Sequence, residues 1–219
     1  MPKILEDVKV LELTHSLAGA YCAKLLADQG ADTIKIEPPG RGDTWRYEPP
    51  FIGGTPNRER SSLFLAFNTN KQSITLDINT SEGKTLFLDL VKDSDIVIES
   101  FHPGHLDDIG LGYAELQKIN KKIILTSITY FGQTGPYKDY KGDDLIAQAM
   151  GGYLFAVTGL ADRPPMGTAL YQMDITAARN GATAALAALF QQRDSGSGQH
   201  VDVSEVEAAI STPGGLIQQ

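Results

Sequence analysis

Short apolar, strand-like segments alternate with helix-like ones along the whole chain, and this alternation restricts the possible architectures more than any other feature. Segment 8–13 reads as a buried strand and 17–29 as a helix that ends at Gly30; 32–37, 73–76, 95–99, 123–128 and 200–203 read as further strands. The helices between them cover 81–90, 113–120, a short stretch around 145–150, the alanine-rich run 175–192, and 204–210. Strands separated by helices predict an α/β fold: a mainly parallel, Rossmann-like sheet with helices on both faces, since parallel strands need crossovers and the crossovers cover the sheet. Residues 38 to about 62 hold prolines, glycines, arginines and the single tryptophan, Trp45. A loop of that length inside a compact domain is functional or covered by a partner.

Charge and cysteine content narrow the function. Lys and Arg number 19 against 27 Asp and Glu, a net charge of −8. That excludes a general nucleic-acid binder, which needs a basic face, while a few local cations still permit a small polyanionic ligand. Cys22 is the sole cysteine and falls in an apolar helical stretch, so no internal disulfide or thiolate cluster is available and a reducing compartment fits. No apolar run approaches the length of a membrane span and no charged-then-apolar leader opens the sequence; the reading is cytoplasmic, with no membrane partner. His15, His102, His105 and His200 lack zinc spacing, so no metal site is expected.

In parallel α/β sheets ligands gather at the carboxyl ends of the strands. The segments predicted there are Thr14-His15-Ser16-Leu17-Ala18-Gly19, Pro38-Pro39-Gly40-Arg41-Gly42-Asp43, Ser100-Phe101-His102-Pro103-Gly104 and Thr129-Tyr130-Phe131-Gly132-Gln133, all rich in glycine, hydroxyls or turn residues. A nicotinamide dehydrogenase is the alternative these residues leave open. Glu37 would suit the acid at the end of the second strand, but the turn after the first strand lacks G-x-G-x-x-G and no Walker sequence occurs. Arg41 and Arg46 read either as phosphate ligands or as solvated surface arginines. Asp174, at the mouth of the alanine-rich helix among small and apolar neighbours, has two readings as well. It is a helix cap, the reading spacing alone favours, or a carboxylate that its environment keeps ionised and aimed as a nucleophile.

Taken together, Val10-Leu11-Glu12-Leu13-Thr14-His15, Ile34-Lys35-Ile36-Glu37-Pro38-Pro39-Gly40, Asn70-Lys71-Gln72-Ser73-Ile74-Thr75-Leu76-Asp77, Glu99-Ser100-Phe101-His102-Pro103-Gly104, Phe131-Gly132-Gln133-Thr134-Gly135-Pro136-Tyr137, Asp144-Leu145-Ile146-Ala147-Gln148-Ala149 and Gly198-Gln199-His200-Val201-Asp202-Val203 resemble the class III CoA-transferases, along essentially the whole chain. The resemblance implies transfer of coenzyme A from an acyl-CoA donor to a carboxylic acid acceptor. Asp174 aligns with the aspartate that attacks the thioester, giving a mixed anhydride and then an aspartyl-CoA thioester. Coenzyme A would be a substrate, with no tightly bound cofactor.

By position, the resemblance places His15, Ser16, Leu17 and Ala18 along the CoA cleft, and Leu76 and Asn79 near the adenosine end with Ser100, Phe101 and His102 alongside. It brings Lys141, Gly142, Asp143 and Asp144 to the pantetheine or phosphate region, with Lys141 as the cation. Pro38 stands where formyl-CoA transferases carry a binding arginine, for which Arg41 is the nearby substitute; Asn79 replaces a lysine, Asp108 an arginine and Leu17 a glutamine. These departures argue against formyl-CoA as substrate. Related racemases of 2-methylacyl-CoA thioesters use a histidine near 142–144, where this chain has Asp143, so transferase is the preferred reading.

The resemblance also implies an N-terminal part of the large domain, residues 1–203, followed by a helix and tail, 204–219, that lead toward the family's small second domain, which this sequence lacks. A homodimer, or a complex with a chain supplying the C-terminal half, is therefore expected. The chain would be a natural subunit, a truncated form, or a remnant that binds CoA without turning it over alone.

Overall fold

The computed structural model describes residues 3–158, 162, 164 and 166–212. The strands are β1 Lys9–Leu13, β2 Asp32–Glu37, β3 Gln72–Thr75, β4 Ile96–Glu99, β5 Ile124–Thr129 and β6 His200–Ser204. They form one six-stranded sheet in the order β3-β2-β1-β4-β5-β6, with every neighbouring pair parallel. The helices are α1 Leu17–Asp28, α2 Ser62–Phe67, α3 Ser81–Lys92, α4 His105–Asp108, α5 Tyr113–Ile119, α6 Asp144–Met150, α7 Gln172–Ser195 and α8 Glu205–Ser211. The expected parallel α/β sheet is present.

The strands bury both faces because successive side chains point to opposite sides. Val10, Ile96, Ile98, Ile124 and Ile128 join Ala18 and Cys22 of α1 and the alanines of α7 in one core. Leu11, Val97 and Leu125, one residue along, join Phe87 and Val91 of α3, Leu106 of α4 and Leu116 of α5 in the other. The small residues of α7 let it lie close to the sheet and to α1: a Cβ added at Gly181 would stand 2.8 Å from Ile128 Cδ1 and 3.3 Å from Cys22 Sγ.

Three local features differ from the sequence reading. Helices α2 and α4 were not foreseen; each is short, with little room for a period to show. The segment 38–62 is pinned rather than free: it holds a 3-10 turn, Thr44–Tyr47, and a bridge between Phe51 and Ser61. Helix α7 begins three residues earlier than expected, so Asp174 lies inside its first turn and is not its cap. Tyr171 holds the cap position in a left-handed conformation, φ 51° and ψ 50°, and makes no side-chain cap bond. The Met173 N–H is satisfied instead from another helix, by Asp144 Oδ1 at 2.7 Å. Within the expected segment 204–219, helix α8 is present and the tail 213–219 lies outside the described residues.

Candidate active site

The sheet order reverses between β1 and β4, so the loops after these two strands diverge and leave a crevice above their carboxyl ends. The crevice is fixed by Ser100, whose Oγ accepts the N–H of His15 at 2.8 Å and of Ser16 at 3.1 Å, tying the β1–α1 turn to the end of β4. Ser16 in turn caps α1 by accepting the Gly19 N–H at 3.0 Å. Only glycine fits at position 19, where a Cβ would fall 2.4 Å from Thr14 Cγ2. Phe101 packs edge-on to the His15 ring at a centroid distance of 5.2 Å and against His105 at 4.8 Å. Burial, the largest influence on His15, holds its pKa below the usual histidine value and favours the neutral ring.

Two cavities meet at Phe101. One, of about 330 Å³, is lined by Ser16, Ser100, His102, Lys141 and Gly142 among the predicted site residues, by Tyr130 of the segment expected at the strand ends, and by Glu205, which was not predicted. The other, of about 260 Å³, is lined by His15, Arg41, Leu76 and Asn79. Most of the predicted binding residues therefore share one extended groove. Four depart from that placement. The side chains of Leu17 and Ala18 are buried, because the face of α1 that carries them packs inward; only the Ala18 backbone N–H serves the site. Asp143 caps α6, accepting the Ile146 N–H at 2.8 Å, and Asp144 binds the Met173 N–H and the Gln148 amide. The Asp143 carboxylate is committed to capping α6, and that of Asp144 to fastening α6 to the start of α7.

Glu37 and Arg46 are not ligand groups either. The Arg46 guanidinium meets both Glu37 oxygens, at 2.7 and 2.8 Å, and lies over the Phe64 ring at 3.8 Å. Burial alone would raise the Glu37 pKa; Arg46, the Ser73 hydroxyl and the Asp43 N–H outweigh it and hold the carboxyl at about 2. This removes the acid that a dinucleotide ribose would need.

Asp174 is 2% exposed. The backbone N–H groups of Ala18, in the first turn of α1, and of Asp174 itself act on its carboxyl to favour the ionised form. The expectation that it stays ionised needs correction. Burial, then the nearby Asp144 charge, push its pKa up to about 7 despite the two N–H donors. Glu205, 1% exposed, is also raised well above the usual carboxylate range, by burial first and then by Asp174 and Asp144. Tyr130 is raised by burial and by these same acids. Asp174 is thus one member of a buried acidic group assembled from the β5 end, α6, α7 and α8.

A second buried group went unnoticed in the sequence. Glu12 and Lys35 stand opposite each other in the β1–β2 register, and Lys35 Nζ lies 2.6 Å from Glu12 Oε1 and 2.6 Å from Asp43 Oδ2. Lys71 Nζ reaches Glu12 Oε2 at 2.7 Å. The signal was available: an acid and a base inside two otherwise apolar central strands. Among the described residues, no group of three or more His, Cys, Asp and Glu is arranged to hold a metal ion. No described helix is long and apolar enough to cross a membrane.

Comparison with known proteins identifies the family. Residues 5–219 match the family described as CoA-transferase family III. The succinyl-CoA–D-citramalate CoA-transferase of Chloroflexus aurantiacus is 43% identical over 218 residues, which cover 100% of this chain and 53% of that protein. The succinate–glutarate CoA-transferase of Agrobacterium fabrum is 40% identical, over 94% of this chain and 52% of that protein. A crystal structure of a CAIB/BAIF family protein from Brucella suis superimposes with a TM-score of 0.91 at 38% identity, over 100% of this chain and 57% of that one. The chain spans about half the length of the curated relatives it matches.

Proposed function

The chain belongs to CoA-transferase family III, and from that premise we propose that it carries the nucleophile and most of the CoA cleft of an enzyme that moves coenzyme A from an acyl-CoA donor to a carboxylic acid. In this reading Asp174 attacks the thioester carbonyl and expels CoA thiolate, leaving a mixed anhydride. The thiolate returns to give an aspartyl-CoA thioester and the donor acid. The acceptor carboxylate repeats the two steps in reverse order and leaves as the new thioester. The observation that carries the proposal is the setting of Asp174: buried, under the influence of the Ala18 N–H, and acting on Glu205, which lines the cavity that gathers Ser16, Ser100, Phe101, His102 and Lys141. A carboxylate is a weak nucleophile, so fixed orientation and exclusion of water must supply much of the rate. Water would also hydrolyse the anhydride.

Coenzyme A enters as a substrate. Its adenosine end fits the cavity of Arg41, Leu76 and Asn79, and its pantetheine arm passes Phe101 toward Lys141. The names of the two curated relatives specify dicarboxylic acids, which supports a short dicarboxylic acid as acceptor. The groups acting on Asp174 are Asp144, Asp143 and backbone N–H donors, and this supports transfer over racemisation, which needs a histidine on the other side of the α-carbon.

Phe190, 81% exposed, and Leu186 lie one turn apart on the outer face of α7, with Ile210 of α8 also exposed. These support a partner surface, filled by a second copy or by a chain carrying the remaining half. Incubation with an acyl-CoA followed by hydroxylamine trapping tests the nucleophile. An adduct at Asp174, lost in Asp174→Ala, is expected. Trapping in the variant would remove Asp174 from that role.

A further inference from the structure

The reaction must stabilise negative charge on the thioester carbonyl oxygen when Asp174 attacks, and the larger cavity holds two buried oxygens without partners. Thr129 Oγ1 and Glu205 Oε2 are both enclosed and neither makes a hydrogen bond within the protein, yet both residues line the cavity that Ser16, Ser100 and Lys141 also line. The backbone brings them together. Thr129 ends β5 opposite Ser204, which ends β6, so Glu205 is the next residue along. The Tyr130 carbonyl accepts Ser204 Oγ at 3.2 Å and the Val206 N–H at 3.1 Å, which fixes the backbone on both sides of Glu205. A buried polar atom with no partner is costly, and such atoms in a native fold call for a ligand, an ion or a functional role.

We propose that the Glu205 carboxyl and the Thr129 hydroxyl are paired hydrogen-bond donors for the acyl carbonyl oxygen of the bound thioester. This rests on the transferase reading above and adds to it residues that touch the substrate. As the Asp174 carboxylate bonds to the carbonyl carbon, the carbonyl π pair moves onto oxygen, and the Glu205 O–H and Thr129 O–H stabilise it there. Collapse re-forms the carbonyl and releases the thiolate, and neither donor gives up its proton. A carboxyl group is suited to this only if it keeps its proton at neutral pH. Burial and the facing acids Asp174 and Asp144, with Tyr130 the other titratable group of the cluster, favour that state. The closest cations lining the cavity are Lys138 and Lys141.

The test uses the chain together with any partner that copurifies, and acetyl-CoA carrying a 13C-labelled acetyl carbonyl. Difference infrared spectroscopy of the complex reads polarisation of that carbonyl. A shift to lower frequency is expected for the native protein. It should persist in Glu205→Gln, whose amide still donates, and shrink in Glu205→Met and in Thr129→Val. Steady-state transfer should fall about 100-fold to 1,000-fold in Glu205→Met, with little change in KM, the usual effect of losing one such donor. Circular dichroism melts identify any variant that fails to fold, and Thr129→Val serves if Glu205→Met is one. A folded Glu205→Met that binds acetyl-CoA with the native carbonyl frequency overturns the clamp and leaves the transferase reading intact. Failure of the native protein, with its partner, to bind acetyl-CoA overturns that reading and the clamp with it.

Discussion

Replacing Lys35 with methionine should destabilise the protein more than any surface substitution, through two acids rather than through lost packing. Methionine nearly conserves the volume of the aliphatic stem, but Lys35 is 1% exposed and its ammonium sits 2.6 Å from both Glu12 and Asp43. Glu12 keeps Lys71 at 2.7 Å and the Thr14 hydroxyl at 2.6 Å. Asp43 keeps only its bond to the Trp45 N–H at 2.8 Å. Removing one partner of a buried ion pair typically costs about 3–5 kcal/mol, a large part of the ~5–15 kcal/mol that holds a domain together. At about 2–4 °C per kcal/mol for a chain of this size, the melting temperature should fall by roughly 6–20 °C. The sign of the pH dependence follows from Glu12, whose burial is outweighed by Lys35 and Lys71 so that its folded pKa is lowered. Its native contribution is therefore fully present above the usual carboxylate value and is lost as pH falls through the lowered one. Without Lys35 the buried Glu12 carboxyl loses its main counter to burial and favours protonation, so the deficit of the variant should shrink as pH is lowered toward 4.5. Urea unfolding at pH 7.5 and pH 5, with constant slope, measures both effects. A melting temperature within 2 °C of native, or a deficit that grows in acid, would refute the reasoning. The same change should weaken ligand binding, since the turn Asp43 caps carries Thr44 and Trp45, both bonded to the His15 carbonyl.

Other outcomes follow from the site. Asp174→Asn should abolish exchange of labelled acid into acyl-CoA while CoA affinity changes less than about threefold, read by calorimetry; retained exchange would contradict the nucleophile role. Exchange by the native protein should rise with pH through the region near 7, because burial and Asp144 raise the Asp174 pKa to about 7 and the ionised form attacks; the apparent value belongs to Asp174 and Glu205 together. Ser100→Ala leaves the His15 and Ser16 N–H groups without their acceptor and should cost about 1–3 kcal/mol in urea unfolding while raising KM. Gly181→Val should lower stability by about 1–3 kcal/mol or more through contact with Ile128, without altering the pH profile of exchange.

The sheet was legible in the sequence because its strands are buried on both faces and read as continuous apolar runs, and because Gly30 ends the first helix. Edge strand β3 was found through Ile74 and Thr75 although all four of its residues are exposed, which shows backbone propensity acting where burial gives no signal. The strand-end residues of the first cavity, Ser16, Ser100 and Tyr130 among them, were legible from their place in the fold, and Lys141 and Gly142 from the family resemblance. The roles of Asp143 and Asp144 were not, since nothing in their spacing reveals that residues 29 positions apart meet across a helix start. Glu205 was hidden for the same reason: in sequence it is an ordinary acid in the first turn of a short helix, and only the register of Thr129 with Ser204 turns it into the cavity.

On the proposed reading, that cluster of acids also bears on why the attacking carboxylate is placed where burial disfavours its charge. Three carboxyl groups, Asp174, Asp144 and Glu205, act on one another with no cation directly paired to any of them among the described residues. Asp144 accepts the Met173 N–H, and Glu205 Oε2 has no hydrogen-bond partner. Backbone N–H groups act on Asp174 to favour its charged form, and the titration of Asp174 and Glu205 belongs to the pair. On the proposed reading Asp174 is the member that attacks and Glu205 the one that donates, and substitution of Ala18 by proline, which removes an N–H that favours the Asp174 charge, should raise the pH at which exchange reaches half its maximum.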